Sequence, residues 1–112
     1  MDRLSKYREI VKNLIRDYAR HKPAVGEVEI ETIFDESHDH YELMYSGWHK
    51  RRRIHGCVIH VDIREGKIVV QHDGTESGIA QELLEAGVER EHIVLAFHSP
   101  ELRKKYTDYA AV

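Results

Sequence analysis

The sequence predicts a single α+β domain, in which an N-terminal helix packs on a mainly antiparallel sheet. Two periodicities lead to this prediction. Apolar residues recur every three or four positions over residues 2–21, whereas over residues 28–72 they largely alternate with polar ones. Four successive strand patterns joined by short turns indicate a meander, followed by a helix, a buried strand and short C-terminal elements. Neither a repeat nor a linker divides residues 1–112, so we expect one domain.

The first helix carries a broad apolar stripe. A helix lying on a sheet is favoured over a coiled coil, because the spacing fits only about two heptads and coiled coils usually sustain three or more. Pro23 and Gly26 predict the end of the helix. The stripe consists of Leu4, Tyr7, Ile10, Val11, Leu14, Ile15, Tyr18 and Ala19.

The strand patterns follow in pairs. The first strand, residues 28–34, has one apolar and one mostly acidic face, and the polar turn 35–39 leads into a second strand that ends near Trp48. In the third strand we expect Cys57, Ile59, Val61 and Ile63 on one face, and Val58, His60 and Asp62 on the other. A tight turn at Glu65-Gly66 returns the chain along residues 68–72.

The last third predicts smaller elements. Thr75 is expected to cap a helix that buries Ile79, Leu83 and Leu84 and stops at Gly87. Residues 93–97 are apolar throughout, which predicts a strand buried on both faces against the sheet and away from a wet edge. Ser99-Pro100 opens a short helical turn through about residue 105, and residues 108–112 suggest a last short strand.

Composition limits the class of function. Charged residues make up 33% and hydrophobic ones 41%, a balance typical of globular proteins. No apolar run approaches the roughly 20 residues that span a bilayer and no signal peptide is evident, so we expect a cytoplasmic protein without a membrane contact. The net charge of −3 argues against general nucleic-acid binding. The single cysteine, Cys57, predicts a buried inert thiol.

The one basic cluster is the main candidate for a contact site. Lys50, Arg51, Arg52 and Arg53 follow Trp48 in a predicted connection between strands, where they could contact an acidic partner or phosphates. The alternative is a solvated turn balanced by the acidic face of the first strand, Glu29 and Glu31.

Nine histidines raise the question of a metal ion. His38 with His40, and His60 with Asp62, share strand faces at a period of two. Zinc needs three or four convergent ligands, and neither a cysteine pair nor a helical His-Glu-x-x-His occurs, so we predict no metal and no cofactor. His60, Asp62 and Asp73 are the lower-ranked candidates, as ligands or acid–base groups of a small metal-dependent hydrolase.

Asp73-Gly74-Thr75 is similar to the Asp-x-Asp-Gly-Thr motif of haloacid-dehalogenase phosphatases. Gln71 stands where those enzymes have the nucleophilic aspartate, and a carboxamide cannot form the phospho-aspartyl intermediate. We therefore predict no catalytic residues. Free backbone N–H groups at Gly74 and Thr75 remain an alternative anion site at the helix start.

An ordered series of motifs that covers nearly the whole chain resembles the XisI family, and it is far more specific than any single motif within it. The motifs are Tyr41-Glu42-Leu43-Met44, Gly47-Trp48, Arg53-Ile54-His55-Gly56-Cys57, His60-x-Asp62-Ile63, Gly66-Lys67-Ile68, the stretch from Gln71 to Ala80, Ile93-Val94-Leu95-Ala96-Phe97, Pro100-x-x-Arg103 and Tyr109-Ala110-Ala111-Val112.

The resemblance implies a function that the residues alone do not. XisI proteins are small cyanobacterial controlling factors for excision of the fdxN element, a DNA rearrangement of heterocyst differentiation. The resemblance implies a non-enzymatic accessory protein that binds an XisH-like, nuclease-like partner, while a separate recombinase exchanges strands. It supplies no catalytic residues. Homo-oligomers and direct DNA contact stay open, and the turn after Trp48 is more basic than the resemblance leads us to expect.

Overall fold

The computed structural model describes residues 2–21 and 26–105 and confirms the α+β fold class. A short 3-10 turn at Arg90–His92 precedes the last strand. The main elements in chain order are α1 (Arg3–Ala19), β1 (Glu27–Asp35), β2 (His40–His49), β3 (Arg52–Arg64), β4 (Lys67–Asp73), α2 (Ile79–Glu85), β5 (Ile93–Leu95) and α3 (Pro100–Lys105).

The described strands form one mixed sheet in the order β1-β2-β3-β4-β5. The first four are antiparallel neighbours, as the sequence predicts, and β5 runs parallel to β4. The prediction of a strand over residues 93–97 was wrong in two respects. Strand β5 has only three residues, with Ala96 and Phe97 in a turn, and it lies at the edge of the sheet. It is nevertheless buried at every position, because the apolar run packs on both faces.

Helix α1 packs on the sheet. Tyr7, Val11 and Ile15 are each at most 3% exposed and join the core formed by the strands and α2. The backbone N–H of Ser5 donates to Asp2 Oδ1 at 2.8 Å, which caps the helix start. These contacts confirm the helix-on-sheet prediction. The helix ends at Ala19; the predicted Pro23 stop and the predicted strand 108–112 lie outside the described residues.

Two tight hairpins shape the middle of the sheet. Glu65 and Gly66 both have positive φ, 52° and 76°, as the twist of a two-residue hairpin requires. The β2–β3 turn also has only two residues, Lys50 and Arg51, with Lys50 at φ 58°. The predicted basic connection was therefore too long, because Arg52 and Arg53 belong to β3.

Ile59, Val61 and Ile63 are buried on one face of β3 as predicted, but a β-bulge reverses the faces of the part of the strand before Ile59. Leu43 pairs with Ile59 but Met44 pairs with Cys57, so Val58 is an extra residue. Cys57 therefore lies on the face opposite Ile59, and the prediction that they share one face was wrong. A second bulge, at Gln71 in β4, separates the His60–His72 pair from the Val61–Val70 pair. These two irregularities determine which polar residues meet.

The start of α2 differs from the prediction. The helix begins at Ile79 after Gly78, and Thr75 is not its cap. The carboxylate of Asp73 holds this segment: Oδ2 accepts from the Ile79 N–H at 2.8 Å, and Oδ1 accepts from the Thr75 N–H at 3.0 Å and the Thr75 hydroxyl at 2.6 Å. Thr75 Oγ1 in turn accepts from the Gly78 N–H. Gly87, at φ 104°, follows the helix as predicted.

Replacing Asp73 with alanine should therefore destabilise the protein more than removing the Thr75 hydroxyl. We expect Asp73→Ala to lower the free energy of unfolding by about 2 kcal/mol and Thr75→Val by about 1 kcal/mol or less, since a lost helix-start acceptor costs ~0.5–2 kcal/mol. Urea denaturation measures both. An equal or larger loss in Thr75→Val would contradict the assignment of Asp73 as the principal acceptor.

Candidate functional site

One face of the sheet carries the helical layer and the other carries most of the candidate residues. We call the second the polar face. Cross-strand pairing of β2 with β3 places Trp48 beside Arg53, Glu42 beside His60 and His40 beside Asp62. The polar face thus has two distinct regions: a histidine–carboxylate cluster, and an aromatic–basic region near the β2–β3 turn.

The histidine–carboxylate cluster is centred on Asp62, which is only 1% exposed. Asp62 Oδ1 accepts from His40 Nδ1 at 2.7 Å and from His60 Nε2 at 2.9 Å. Asp62 Oδ2 accepts from the guanidinium of Arg64 at 3.0 Å and the amide of Gln71 at 3.2 Å. All four hydrogen bonds supply donors to a buried carboxylate, which would otherwise be costly to remove from water.

The surroundings keep this carboxyl ionised. Burial, the largest single influence, raises the pKa of Asp62, but hydrogen bonds from His40, His60 and Gln71 and the charge of His60 together lower it below its ordinary value. The same hydrogen bond to Asp62 raises the pKa of His40. A charged acceptor therefore lies at the centre of the cluster at neutral pH.

Asp73 does not join His60 and Asp62. Both its oxygens are used by the segment that starts α2, whereas His40 supplies the third group that converges with His60 and Asp62. The predicted set of His60, Asp62 and Asp73 was therefore wrong in one member, because His40 takes the place of Asp73. The sequence pointed to His40 only because it is two residues from His38 and would share a strand face with it. The pairing of His40 with Asp62 on the neighbouring strand could not be predicted from the sequence. His38 itself lies in the turn and contacts Asp35.

The alternative anion site at Gly74 and Thr75 loses the donors on which it depends. The Gly74 N–H donates to the Val58 carbonyl at 2.7 Å, and the Thr75 N–H donates to Asp73. The N–H groups of Gly78 and Ile79 are also bonded within the chain. Because these backbone donors are already used, the predicted anion site is not supported.

The aromatic–basic region lies at the far end of the polar face. Trp48 is 53% exposed, and the guanidinium carbon of Arg53 lies 5.5 Å from the centre of its ring. Arg53 also donates to the Gly47 carbonyl at 3.3 Å and to Ser46 Oγ at 3.1 Å, which fixes it on the sheet. We call residues 48–53 the basic hairpin.

The remaining cations of the basic hairpin are exposed. Lys50, Arg51 and Arg52 are all exposed to solvent. Within residues 2–21 and 26–105, no ion pair closer than 4.0 Å joins them to Glu29 or Glu31 on the first strand. Direct ionic balance by that acidic face, the alternative drawn from the sequence, is absent in this part of the chain.

Next to the basic hairpin, β3 has an edge that sequence reasoning missed. Strand β4 pairs with β3 only as far as Ile59, opposite Asp73, so no described strand pairs with residues 52–57 on that side. We call residues 52–57 the free edge. The sequence signal for it was the unequal length of the two runs around Glu65-Gly66, because residues 54–63 precede the turn and only residues 68–72 follow it.

A cleft of about 610 Å³ follows the free edge. Its lining includes the half-buried Ile54 and Tyr45, the exposed Arg52, and His49, whose Nδ1 is buried without a hydrogen-bond partner among the described residues. Burial raises the pKa of the Cys57 thiol at this edge, so the thiol stays protonated at neutral pH and is a weak nucleophile. The edge therefore offers binding surface more than covalent chemistry.

Comparison with known proteins agrees with the motif resemblance. The model of the XisI protein family matches residues 1–111. The crystal structure of a XisI-like protein from Anabaena variabilis is 42% identical, covers 97% of this chain and 99% of its own, and superposes with a TM-score of 0.88. The fdxN element excision controlling factor XisI from the same organism is 29% identical, with 99% and 100% coverage and a TM-score of 0.83. No curated protein matches.

No helix in the described ranges is both long and apolar enough to cross a membrane.

Proposed function

This chain belongs to the XisI family, and we propose that it is a non-enzymatic controlling factor for excision of a DNA element. We further propose that it acts in the cytoplasm by binding a protein of the excision machinery, an XisH-like partner. The observation that carries this proposal is the free edge of β3 beside the basic hairpin, because an unpaired strand edge can take up an extended segment of another protein.

The chemistry of the free edge indicates what kind of segment it would bind. Its unpaired backbone supplies main-chain hydrogen bonds, and the cleft supplies an apolar contact at Ile54. Arg52 and the two exposed cations of the turn lie at one end of it. An extended segment with acidic side chains complements this surface in shape and charge.

Exposed cations on an edge also have a simpler use, because natural sheets carry Lys and Arg there to prevent aggregation. Two features favour binding over protection alone. Trp48 is a large exposed aromatic next to the cations, a combination enriched at binding sites, and His49 Nδ1 is a buried polar atom without a partner at the cleft. Trp48 and His49 lie on opposite faces of β2, so a segment bound in the cleft could satisfy the imidazole, while Trp48 offers a separate contact on the polar face.

Direct DNA contact through the basic hairpin is the second candidate, supported by its exposed arginines. The overall charge of −3 opposes it, because a DNA-binding surface must neutralise several phosphates. The hydrolase alternative loses Asp73, whose carboxylate is committed to the start of α2. Self-association through the free edge is the remaining competing use, and light scattering over a concentration range detects it.

Co-expression with an XisH-like protein tests the proposal. We expect the two proteins to co-purify from roughly 0.1 to 0.5 M salt, with affinity falling only moderately, because main-chain and apolar contacts resist screening better than exposed charges do. A DNA fragment titrated in parallel serves as the comparison. Absence of a complex at every salt concentration would contradict partner binding, and tight DNA binding that falls steeply with salt would favour the second candidate.

A further inference from the structure

We propose that His40, His60 and Asp62 form a binding site for a divalent transition-metal ion on the polar face. His40 Nδ1, His60 Nε2 and Asp62 Oδ1 lie within 4.8 Å of one another, and both imidazole nitrogens face the same carboxylate oxygen. Two imidazoles and one carboxylate suit Zn²⁺, Co²⁺ and Fe²⁺, and they leave at least one position for water or a ligand.

The fold places these groups without help from loops. His40 pairs directly with Asp62 across β2 and β3, and His60 is two residues before Asp62 on the same strand face. The side chains of His40 and His60 are 47% and 29% exposed, which gives an ion access from solvent, while Asp62 is held below them at 1%. Ligands on paired strands are held more rigidly than ligands on loops.

The neighbouring groups resemble an outer shell of a metal site. Arg64 and Gln71 bind Asp62 Oδ2, which orients the carboxylate and leaves Oδ1 toward the histidines. Glu42 Oε1 lies 3.7 Å from His60 Nδ1, where it could accept the proton of the ring nitrogen that does not bind metal.

Binding an ion replaces two hydrogen bonds with three coordinate bonds, one each from His40 Nδ1, His60 Nε2 and Asp62 Oδ1. In the hydrogen-bonded form His40 carries a proton on Nδ1 and His60 carries one on Nε2, because an ionised carboxylate only accepts. In the metal-bound form a neutral imidazole carries its proton on the other ring nitrogen, so its lone pair faces the ion. The charge of Arg64 opposes a cation, whereas Asp62 and Glu42 favour it.

Calorimetric titration of the purified full chain with Zn²⁺ tests the site, and the visible absorption of added Co²⁺ reports its ligands. We expect one ion per chain. His40→Gln and His60→Gln should each weaken binding about 100-fold, while His55→Gln, an exposed residue of β3 outside the cluster, should leave affinity unchanged. Histidine variants are preferred to Asp62 variants, which remove a buried charge and could unfold the protein.

Three results would overturn the proposal. The wild-type chain could bind no ion, in which case the cluster is a hydrogen-bonded network only. His40→Gln and His60→Gln could bind like the wild type, which would place the ion elsewhere. His55→Gln could lose as much affinity as they do, which would indicate unspecific binding by surface histidines. None of these results bears on partner binding at the free edge, so the two proposals fail independently.

Discussion

Gly47→Ala is expected to lower the free energy of unfolding by about 2 kcal/mol or more, whereas Gly56→Ala should leave it unchanged or raise it by up to ~1 kcal/mol. The two glycines belong to neighbouring strands, β2 and β3, and neither requires a positive φ. The pair therefore compares steric crowding with the ordinary benefit of removing a glycine from a strand.

The difference comes from what a Cβ atom would meet. At Gly47 it would lie 2.0 Å from the Glu27 carbonyl oxygen and 2.8 Å from the Val28 Cα, both backbone atoms of β1. Such an overlap cannot be relieved by a side-chain rotation, so β1 must move away and lose part of its ladder with β2. At Gly56 a Cβ meets no atom within 4 Å.

Urea denaturation of both variants measures the effect, and hydrogen exchange locates it. We expect the amides at the start of β1 to exchange faster in Gly47→Ala than in the wild type, while those of β4 stay protected. Equal stability of Gly47→Ala and the wild type would contradict the close approach of β1 to Gly47. A large loss in Gly56→Ala would show that the cleft beside β3 is filled.

The spacing of apolar residues was sufficient to predict the fold class. Tyr7, Val11 and Ile15 are buried as the helical spacing predicts, and Glu65-Gly66 is the tight turn that its glycine indicates. Local rules succeed here because each depends on residues a few positions apart. They locate elements and their apolar sides, but not the partner of each residue across the sheet.

The two bulges explain the principal failure. An extra residue at Val58 reverses the parity of β3, so Cys57 and Ile59 lie on opposite faces. The alternation of the sequence is interrupted at this point by three successive apolar residues, Cys57, Val58 and Ile59. Nothing in Val58 itself marks a bulge, because valine is an ordinary strand residue. The predicted face for Cys57 was therefore wrong, even though the strand itself was predicted.

The predictions of site residues succeeded where the contact lies within one strand and failed where it depends on pairing between strands. Asp62 and His60 share a strand, so their proximity follows from a period of two, but His40 is 22 residues from Asp62 and reaches it only through register. Asp73 was a reasonable companion by type, yet its oxygens are used by backbone groups of its own segment. Roles in binding remain predictions for Trp48 and for Lys50, Arg51, Arg52 and Arg53.

Reversing two charges of the basic hairpin should weaken partner binding about 100-fold. The variant Arg51→Glu/Arg52→Glu replaces two exposed cations that make no hydrogen bond or ion pair through their side chains in the described structure, so we expect it to fold normally. Each new carboxylate would repel an acidic segment at the free edge. Mutating charges at the rim of an interface changes chiefly the association rate and its salt dependence, so the loss should shrink at high salt.

The charge-matched control is Lys6→Glu in α1 combined with Arg20→Glu at its C-cap, where Arg20 makes an exposed ion pair with Asp17 that contributes little to stability. Each reversal changes the charge by −2, so both double variants go from −3 to −7, and a general effect of net charge would weaken them equally. We expect the control to bind the XisH-like protein within about threefold of the wild-type dissociation constant, measured by calorimetry at about 0.15 M salt. Equal losses in both variants would contradict a specific role for the basic hairpin.

Hydrogen exchange in the complex separates the strand edge from its charges. If an extended segment adds to β3, the outward-facing amides among residues 52–57 acquire main-chain hydrogen bonds and exchange more slowly in the complex than in the free protein. The amides of β3 that already pair with β2 serve as the internal reference. Protection confined to α1, with residues 52–57 unchanged, would show that a protein partner binds but that the free edge is not its binding surface. Strand addition cannot occur without protecting the amides of residues 52–57.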